Sequence, residues 1–255
     1  MKLNLVRAST GFQWVKLGVR TFLKQPLALA GLFFLYMAVV ILISQIPVVG
    51  VIVGGILVPA ATLGLMAATA EATKGRFPMP SILISAFRAG RQEVRAMLLL
   101  GVIYTAGSML ASNLASLIAG ASSAENVAPG IDLATLLALL LHTPLFLMFW
   151  HAPALVHWHG VTPAKSLFFR LVACLRNFSA YLVYGFLWLS VFLVVGTAFG
   201  LLGGLIGGAA MAQTVMMPTA LLMAAMFSTS VYFTFRDSFV ATAEPPQQPT
   251  PGEPS

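Results

Sequence analysis

Residues 25–70 carry no charged side chain and read QPLALAGLFFLYMAVVILISQIPVVGVIVGGILVPAATLGLMAATA. A helix crosses the roughly 30 Å hydrocarbon core of a membrane with about 20 apolar residues. This stretch is therefore long enough to cross twice. Ser44, Gln45 and Pro47 lie near its middle and predict a turn there. We read the stretch as two membrane-spanning helices joined by a short loop.

The remaining apolar stretches extend this pattern. Two of them hold one span each, and the stretch between Arg176 and Arg236 holds two spans joined near Gly207 and Gly208. The stretches are continuously apolar, whereas the strands of a membrane barrel alternate. We predict an all-α, polytopic membrane helical bundle over residues 1–240. Its six spans cover residues 26–45, 48–70, 96–119, 133–156, 179–204 and 214–235.

The composition excludes an ordinary soluble domain, because 59% of the residues are hydrophobic and only 8% are charged, against about 25% charged in soluble domains. The net charge of +7 does not indicate nucleic acid, because the basic residues lie in short clusters between apolar stretches. No cleavage site follows the first apolar stretch, so we expect that span to be retained. Residues 241–255 are rich in proline and predict a disordered tail.

The basic residues predict the orientation. With six spans, all 14 Lys and Arg fall on one side, and the opposite loops hold only Glu125 and Asp132. The positive-inside rule makes the basic side cytoplasmic. Both termini are therefore expected in the cytoplasm of a multi-pass protein.

Basic amphipathic stretches precede spans one, three and five. The third opens with Thr162 as the expected N-cap and Pro163 at the first helical position. Such stretches predict helices that lie in the cytoplasmic headgroup layer with their apolar side in lipid. Their cations either bind anionic lipid, at about 1 kcal/mol each, or only enforce the topology. The predicted membrane-surface basic face comprises Lys16, Arg20, Lys24, Arg88, Arg91, Arg95, Arg170 and Arg176.

Each interfacial stretch is followed by an outward span and a returning span that contains proline. This order suggests three tandem hairpin units in the same orientation, related by an axis along the membrane normal. Proline frees a backbone carbonyl and bends a helix. The predicted span kinks are Pro59, Pro144, Pro153 and Pro218.

Span five carries a ladder of glycines at four-residue spacing. Small residues on one helix face allow a close backbone approach to another helix. The partner helix is either in the same chain, which we favour, or in a second copy. The predicted packing residues are Gly196, Gly200, Gly204 and Gly208.

Few side chains suggest chemistry. The spans hold no Asp, Glu, Lys or Arg, which disfavours a proton-coupled transporter. The four histidines, His142, His151, His157 and His159, lie in or near span four. We favour packing or interfacial roles for them over metal binding or pH sensing, because no cysteine or carboxylate accompanies them. With Cys174 as the only cysteine, we predict no metal, no cofactor and no catalytic residue.

The sequence resembles a family of bacterial inner-membrane proteins described only as predicted multi-pass membrane proteins. The resemblance covers most of the chain but not residues 96–143. It implies a cytoplasmic-membrane location and the six-span layout, and it brings no activity. The matching residues are Gly11, Trp14, Gly18, Phe22, Pro26, Ile46, Pro47, Gly50, Pro59, Gly64 and Met66, and the segments 152–156, 173–177, 181–185 and 235–239.

The first functional hypothesis is a non-enzymatic protein that organises the envelope or its lipids, or that acts as a scaffold. Its expected partners are membrane lipids, anionic ones in particular, and either another membrane protein or a second copy of the chain. No nucleic acid is expected. The alternative is a transporter or channel for an uncharged or hydrophobic solute, with polar residues such as Asn113, Ser44 and Gln45 along its path.

Overall fold

The computed structural model describes residues 2–120 and 133–240. The predicted loop around Glu125 and Asp132 and the predicted tail 241–255 lie outside these residues. The described part is almost entirely helical, with two strands of two residues each. Its elements are β1 Lys2–Leu3, α1 Thr10–Lys24, α2 Pro26–Ser44, α3 Val49–Thr73, a 3-10 helix Pro80–Phe87, α4 Arg91–Ala119, α5 Leu133–Phe149, α6 Ala152–His159, α7 Pro163–Arg176, α8 Phe178–Ser238 and β2 Phe239–Val240.

Helices of the described residues are long and apolar enough to cross a membrane in five places. These are Pro26–Ser44, Val49–Thr73, Arg91–Ala119, the segment Leu133–His159 and Phe178–Ser238. The all-α membrane bundle is therefore confirmed. The predicted count of six spans is not confirmed as such, since it depends on how α8 is counted.

Helix α8 is a hairpin rather than one straight rod. Its backbone leaves helical geometry only at Gly207 and Gly208. The first arm, residues 178–206, and the second arm, residues 209–238, are each about 44 Å long at 1.5 Å per residue. The hydroxyls of Tyr184 and Ser230, one on each arm, lie 2.6 Å apart. The two arms therefore run antiparallel and pack on each other.

The two ends of the described chain lie together. Strand β1 pairs with β2 in antiparallel register, with Lys2 opposite Val240 and Leu3 opposite Phe239. The Asn4 amide continues this pairing by donating to the Ser238 carbonyl over 2.9 Å. The beginning and the end of the helical bundle are thus on the same side of the molecule.

Helix α1 packs against α8, and this corrects our expectation that its apolar face lies in lipid. Trp14 and Phe22 on that face are buried. A Cβ atom at Gly18 would overlap Ser230 of the second arm, and one at Gly11 would overlap the first arm. Two glycines on one face therefore let α1 approach both arms closely. The face with Trp14 and Phe22 therefore serves a protein neighbour, while Phe12 and Leu23 stay exposed beside the cations.

The second interfacial stretch also differs from its prediction. A 3-10 helix ends at Phe87, and Gly90 takes a positive φ of 112° before α4 begins. Arg91 and Arg95 therefore belong to the first turns of the spanning helix and not to a separate interfacial helix. The third stretch forms α7 from Pro163, with Thr162 at the N-cap position but without a side-chain capping bond. The threefold repeat stays a prediction.

The predicted kink residues fall into two groups. Pro59, Pro144 and Pro218 lie inside helices, and the bending they would cause stays a prediction. Pro153 lies in the first turn of α6, where a helix begins again after an interruption at residues 150–151. Proline fits that position because the first turn of a helix needs no donor from it.

The glycine ladder meets the second arm of its own hairpin. A Cβ atom at Gly203 would lie 2.9 Å from Ala212, and Gly200 faces the sulfur of Met216. Gly204 has open space around it, and Gly208 forms the reversal itself at φ 68°. The tight contact therefore runs through Gly203 and Gly207 rather than through the four predicted positions. Its partner lies within the chain.

Candidate functional site

A set of fully buried polar side chains lies where α6, α7 and the ends of the α8 arms remote from Gly207 and Gly208 meet. Water is scarce in such a place, so each polar group there needs a partner within the protein. We call this set the buried polar cluster. Its members are His151, Ser166, Arg170, Asn177, Ser230, Thr234 and Ser238.

Ser230 connects the two arms of α8. Its hydroxyl donates to the Phe227 carbonyl over 2.6 Å. Its two lone pairs are then free to accept from the Tyr184 hydroxyl at 2.6 Å and from Trp188 Nε1 at 3.1 Å. One small side chain thus satisfies two large buried donors.

Asn177 holds the N-terminal segment in place. Its Oδ1 accepts from the Val6 amide over 2.9 Å, and its Nδ2 donates to the Asn4 carbonyl over 2.9 Å. Nearby, Trp14 Nε1 donates to Asp237 Oδ2 over 3.0 Å. These bonds tie α1, α7 and the end of α8 into one corner of the bundle.

His151 is enclosed between α6 and the second arm. Thr234 uses its only hydroxyl hydrogen to donate to the Val231 carbonyl over 2.7 Å. The 2.8 Å bond between His151 Nε2 and the Thr234 hydroxyl therefore has the imidazole as its donor. His151 Nδ1 is buried and has no hydrogen-bond partner among the described residues.

Arg170 points into the protein, and this corrects its predicted place on the membrane-surface face. Its side chain has an exposed fraction of 0%, and its guanidinium carbon lies 4.4 Å from the centroid of the Tyr181 ring. All three guanidinium nitrogens are buried without an acceptor in the described part of the chain. A helical spacing could have found this, because Ser166, Arg170, Ala173 and Asn177 fall on one face of α7.

Each carboxylate of the described residues faces a basic side chain other than Arg170. Glu71 accepts from Arg76 and Lys74, and this ion pair raises the pKa of Arg76. Glu93 Oε2 lies 2.9 Å from His157 Nδ1, and Asp237 accepts from Arg236 over 2.7 Å. The remaining cations of the predicted basic face are exposed and have no described carboxylate as a partner: Lys16, Arg20, Lys24, Arg88, Arg91, Arg95 and Arg176.

Two open grooves combine these cations with apolar side chains. The groove along α1 has a volume of about 650 Å³, and the groove at the start of α4 has one of about 460 Å³. Such surfaces suit a molecule with an acyl chain and an anionic head. The α1 groove is lined by Phe12, Val15, Lys16, Val19, Arg20, Leu23 and Lys24, and the α4 groove by Phe87, Arg88, Gly90, Arg91, Val94, Arg95 and Leu98.

The four histidines do not come together. His142 contacts the Ser108 hydroxyl at 3.1 Å and the Ala138 carbonyl at 2.7 Å. His157 faces Glu93, and the His159 ring packs on Phe235. Within residues 2–120 and 133–240, no three metal-ligating side chains converge. Each histidine therefore has a local packing or hydrogen-bonding environment of its own.

A relative supports the family that the sequence suggested. A probable inner membrane protein of Burkholderia thailandensis is 37% identical over 256 residues, which cover 94% of each chain. No family model matches the chain, and no solved structure matches it. At this identity and coverage the resemblance to bacterial inner-membrane proteins is confirmed.

Proposed function

Since the chain belongs to the same family as the Burkholderia thailandensis inner membrane protein, we propose that it organises anionic phospholipid at the cytoplasmic face of the inner membrane. The role is binding rather than catalysis. The observation that carries the proposal is the row of exposed cations on α1. Lys16, Arg20 and Lys24 project from one helix face, beside the exposed side chains of Phe12 and Leu23.

This row has the composition of a lipid-binding surface. Cations next to a membrane surface attract anionic headgroups by about 1 kcal/mol each. The neighbouring apolar side chains contact acyl chains, while the long basic side chains reach to the phosphates. Because no described carboxylate neutralises these cations, their charge is available to lipid.

The proposed orientation places this row in the cytoplasm. A membrane protein whose ends meet on one side crosses the bilayer an even number of times, and β1 and β2 are paired. Counting the two arms of α8 separately makes six crossings out of the five long apolar segments. The positive-inside rule then favours cytoplasmic termini.

The transporter hypothesis gains little support from the polar residues considered for its path. Asn113 donates to the Met109 carbonyl of its own helix, and both Ser44 and Gln45 bond to the Ile41 carbonyl. All three are exposed. Side chains that satisfy their own helix backbone do not line a shared polar path.

The test replaces the three α1 cations together. Native mass spectrometry of the protein from mild detergent should show wild type retaining phosphatidylglycerol in preference to phosphatidylcholine. In the variant Lys16→Gln, Arg20→Gln, Lys24→Gln, the affinity for phosphatidylglycerol should fall about 100-fold, since roughly 3 kcal/mol is lost. The matched control Lys16→Arg, Arg20→Lys, Lys24→Arg keeps the charges and should bind as wild type does. Equal retention by both variants would refute the proposal.

A further inference from the structure

We propose that Arg170 and His151 form an internal binding site for a phosphate group, distinct from the basic surface of α1. The two side chains belong to α7 and to the N-cap of α6, and both lie against Tyr181. The guanidinium carbon is 4.4 Å from the centroid of that ring, and the imidazole centroid is 6.4 Å from it.

Arg170 carries a buried positive charge. A guanidinium group stays protonated in proteins, and a buried charge needs a counter-charge or hydrogen-bond acceptors. The Tyr181 ring offers its face to the cation, but none of the guanidinium nitrogens has a well-aligned hydrogen-bond acceptor among the described residues. The three carboxylates of the described residues, Glu71, Glu93 and Asp237, each face another basic side chain. Among the described residues, Arg170 therefore has no anionic partner.

The shape of the guanidinium narrows the choice of anion. Its planar fork of donors matches two oxygens of a phosphate or carboxylate, which it binds through two parallel hydrogen bonds. A site of this kind therefore takes an oxyanion rather than a halide.

His151 selects between the two oxyanions. Because Nε2 carries the proton that is donated to Thr234, Nδ1 is left with a lone pair. The missing partner of Nδ1 is thus a donor, while the missing partner of Arg170 is an acceptor. A phosphomonoester or inorganic phosphate carries both, as a P–OH group and as free oxygens. An ionised carboxylate and the phosphodiester of an ordinary phospholipid have no such hydrogen.

The position of α7 suggests where the phosphate comes from. On its outer side Phe168 and Leu175 are 62% and 66% exposed, and the exposed cations Lys165 and Arg176 lie near its two ends. This is the pattern of a helix at the level of lipid headgroups. Arg170 lies on the inner side of the same helix. A lipid phosphomonoester of that headgroup layer and free phosphate of the cytoplasm are therefore both candidate ligands.

The experiment measures the Tm of the purified, delipidated full chain by tryptophan fluorescence. It uses about 0.5 M salt, which screens exposed charges. The probes are inorganic phosphate, short-chain phosphatidic acid and short-chain phosphatidylglycerol. At a concentration about 100-fold above Kd, a bound probe should raise the Tm by roughly 5–10 °C. A Tm rise with phosphatidic acid but not with inorganic phosphate would identify a lipid headgroup as the ligand. A Tm rise with inorganic phosphate would identify the free ion.

Three variants make the result specific. Arg170→Met should abolish the Tm rise, and Arg176→Met, on the exposed end of the same helix, should keep it. Without any probe, Arg170→Met should melt at or above the wild-type Tm, because it removes a buried charge that no described carboxylate neutralises. Arg170→Lys keeps the charge without the fork and should weaken binding at least about 10-fold.

Several outcomes would overturn the proposal. One is the absence of any wild-type response to phosphatidic acid and to inorganic phosphate. Another is an Arg170→Met variant that responds as wild type does. Equal stabilisation by phosphatidylglycerol would refute the role given to His151. If Glu244→Gln combined with Glu253→Gln reproduced the Arg170→Met behaviour, the counter-charge would belong to the chain itself. The triple variant of Lys16, Arg20 and Lys24 should respond as wild type does, which separates this site from the α1 surface.

Discussion

A single hydroxyl at position 230 satisfies donors on the opposite arm of α8, and this makes Ser230 a sensitive point of the core. Ser230→Ala would leave the Tyr184 hydroxyl and Trp188 Nε1 buried without an acceptor. Hydrogen bonds between membrane helices contribute about 0.6 kcal/mol on average, but a stranded buried donor adds its own cost. We expect the free energy of unfolding to fall by about 2 kcal/mol.

The matched control for this variant is Ser190→Ala on the first arm. Ser190 is exposed and donates only to the Phe186 carbonyl of its own helix. Its replacement should change the free energy of unfolding by less than about 0.5 kcal/mol. Denaturant titration in mild detergent measures both variants. Equal effects of the two replacements would show that Ser230 does not connect the arms.

Arg170 and Arg176 show why the sequence alone does not locate a buried charge. Arg170 carries the same charge as Arg176, and both were assigned to the membrane surface. Only the packing of α7 separates them, because one faces the bundle and the other faces outward. Counting charges along a sequence reveals neither the burial of a side chain nor its partners. The spacing of Ser166, Arg170 and Asn177 held the information, but it has meaning only once the neighbours of α7 are known.

At the scale of single elements, the reversal of α8 depends on one backbone conformation. Gly208 has φ 68° and ψ −161°, a region that is essentially restricted to glycine. Gly208→Ala should therefore lower the free energy of unfolding by about 1–3 kcal/mol.

Gly204→Ala is the control, because Gly204 belongs to the same glycine ladder but is helical, exposed and has open space for a Cβ atom. Alanine is the better helix former by about 1 kcal/mol, so this variant should be as stable as wild type or more so. Thermal unfolding of the two variants side by side distinguishes the turn position from the helical one. A Gly208→Ala variant as stable as Gly204→Ala would contradict the hairpin geometry.

The long helices were predictable because a lipid environment requires a helical backbone. A continuous apolar stretch must become a helix in a membrane, so the long helices and the reversal near Gly207 and Gly208 followed from the sequence. The interfacial stretches did not, because an amphipathic face looks the same whether it covers lipid or protein. In α1 the close packing depends on Gly11 and Gly18, because the absence of a side chain at these positions allows α8 to approach. A single sequence does not show which element packs against such a glycine.

The proposed topology predicts which loops reach each side of the membrane. In a Cys174→Ala background, single cysteines at Gln45 and Ala210 should react with an impermeant maleimide in intact cells. Cysteines at Lys74 and Thr162 should react only after the inner membrane is permeabilised. All four positions are exposed, so a lack of reaction reports the compartment and not burial. Labelling of the cysteine at position 74 in intact cells would reverse the proposed orientation.

Asn177 and the short β-sheet close the bundle where the two ends of the described chain meet. Asn177 is buried and bonds both Asn4 and Val6, while β1 pairs with β2. Asn177→Ala removes both side-chain bonds at once. We expect the local free energy of opening to fall by about 2 kcal/mol, which raises the open population of the N-terminal segment about 30-fold.

Arg7 is exposed at the end of this segment, so trypsin cleavage after it reports the opening. Amide hydrogen exchange at Val6 should speed up in parallel, because that amide donates to Asn177 Oδ1. Asn113→Ala, which removes only a bond to its own helix, should leave both rates unchanged. If Asn177→Ala left them unchanged as well, the pairing of β1 with β2 and the bonds of Asn4 to the end of α8 would hold the ends together without Asn177.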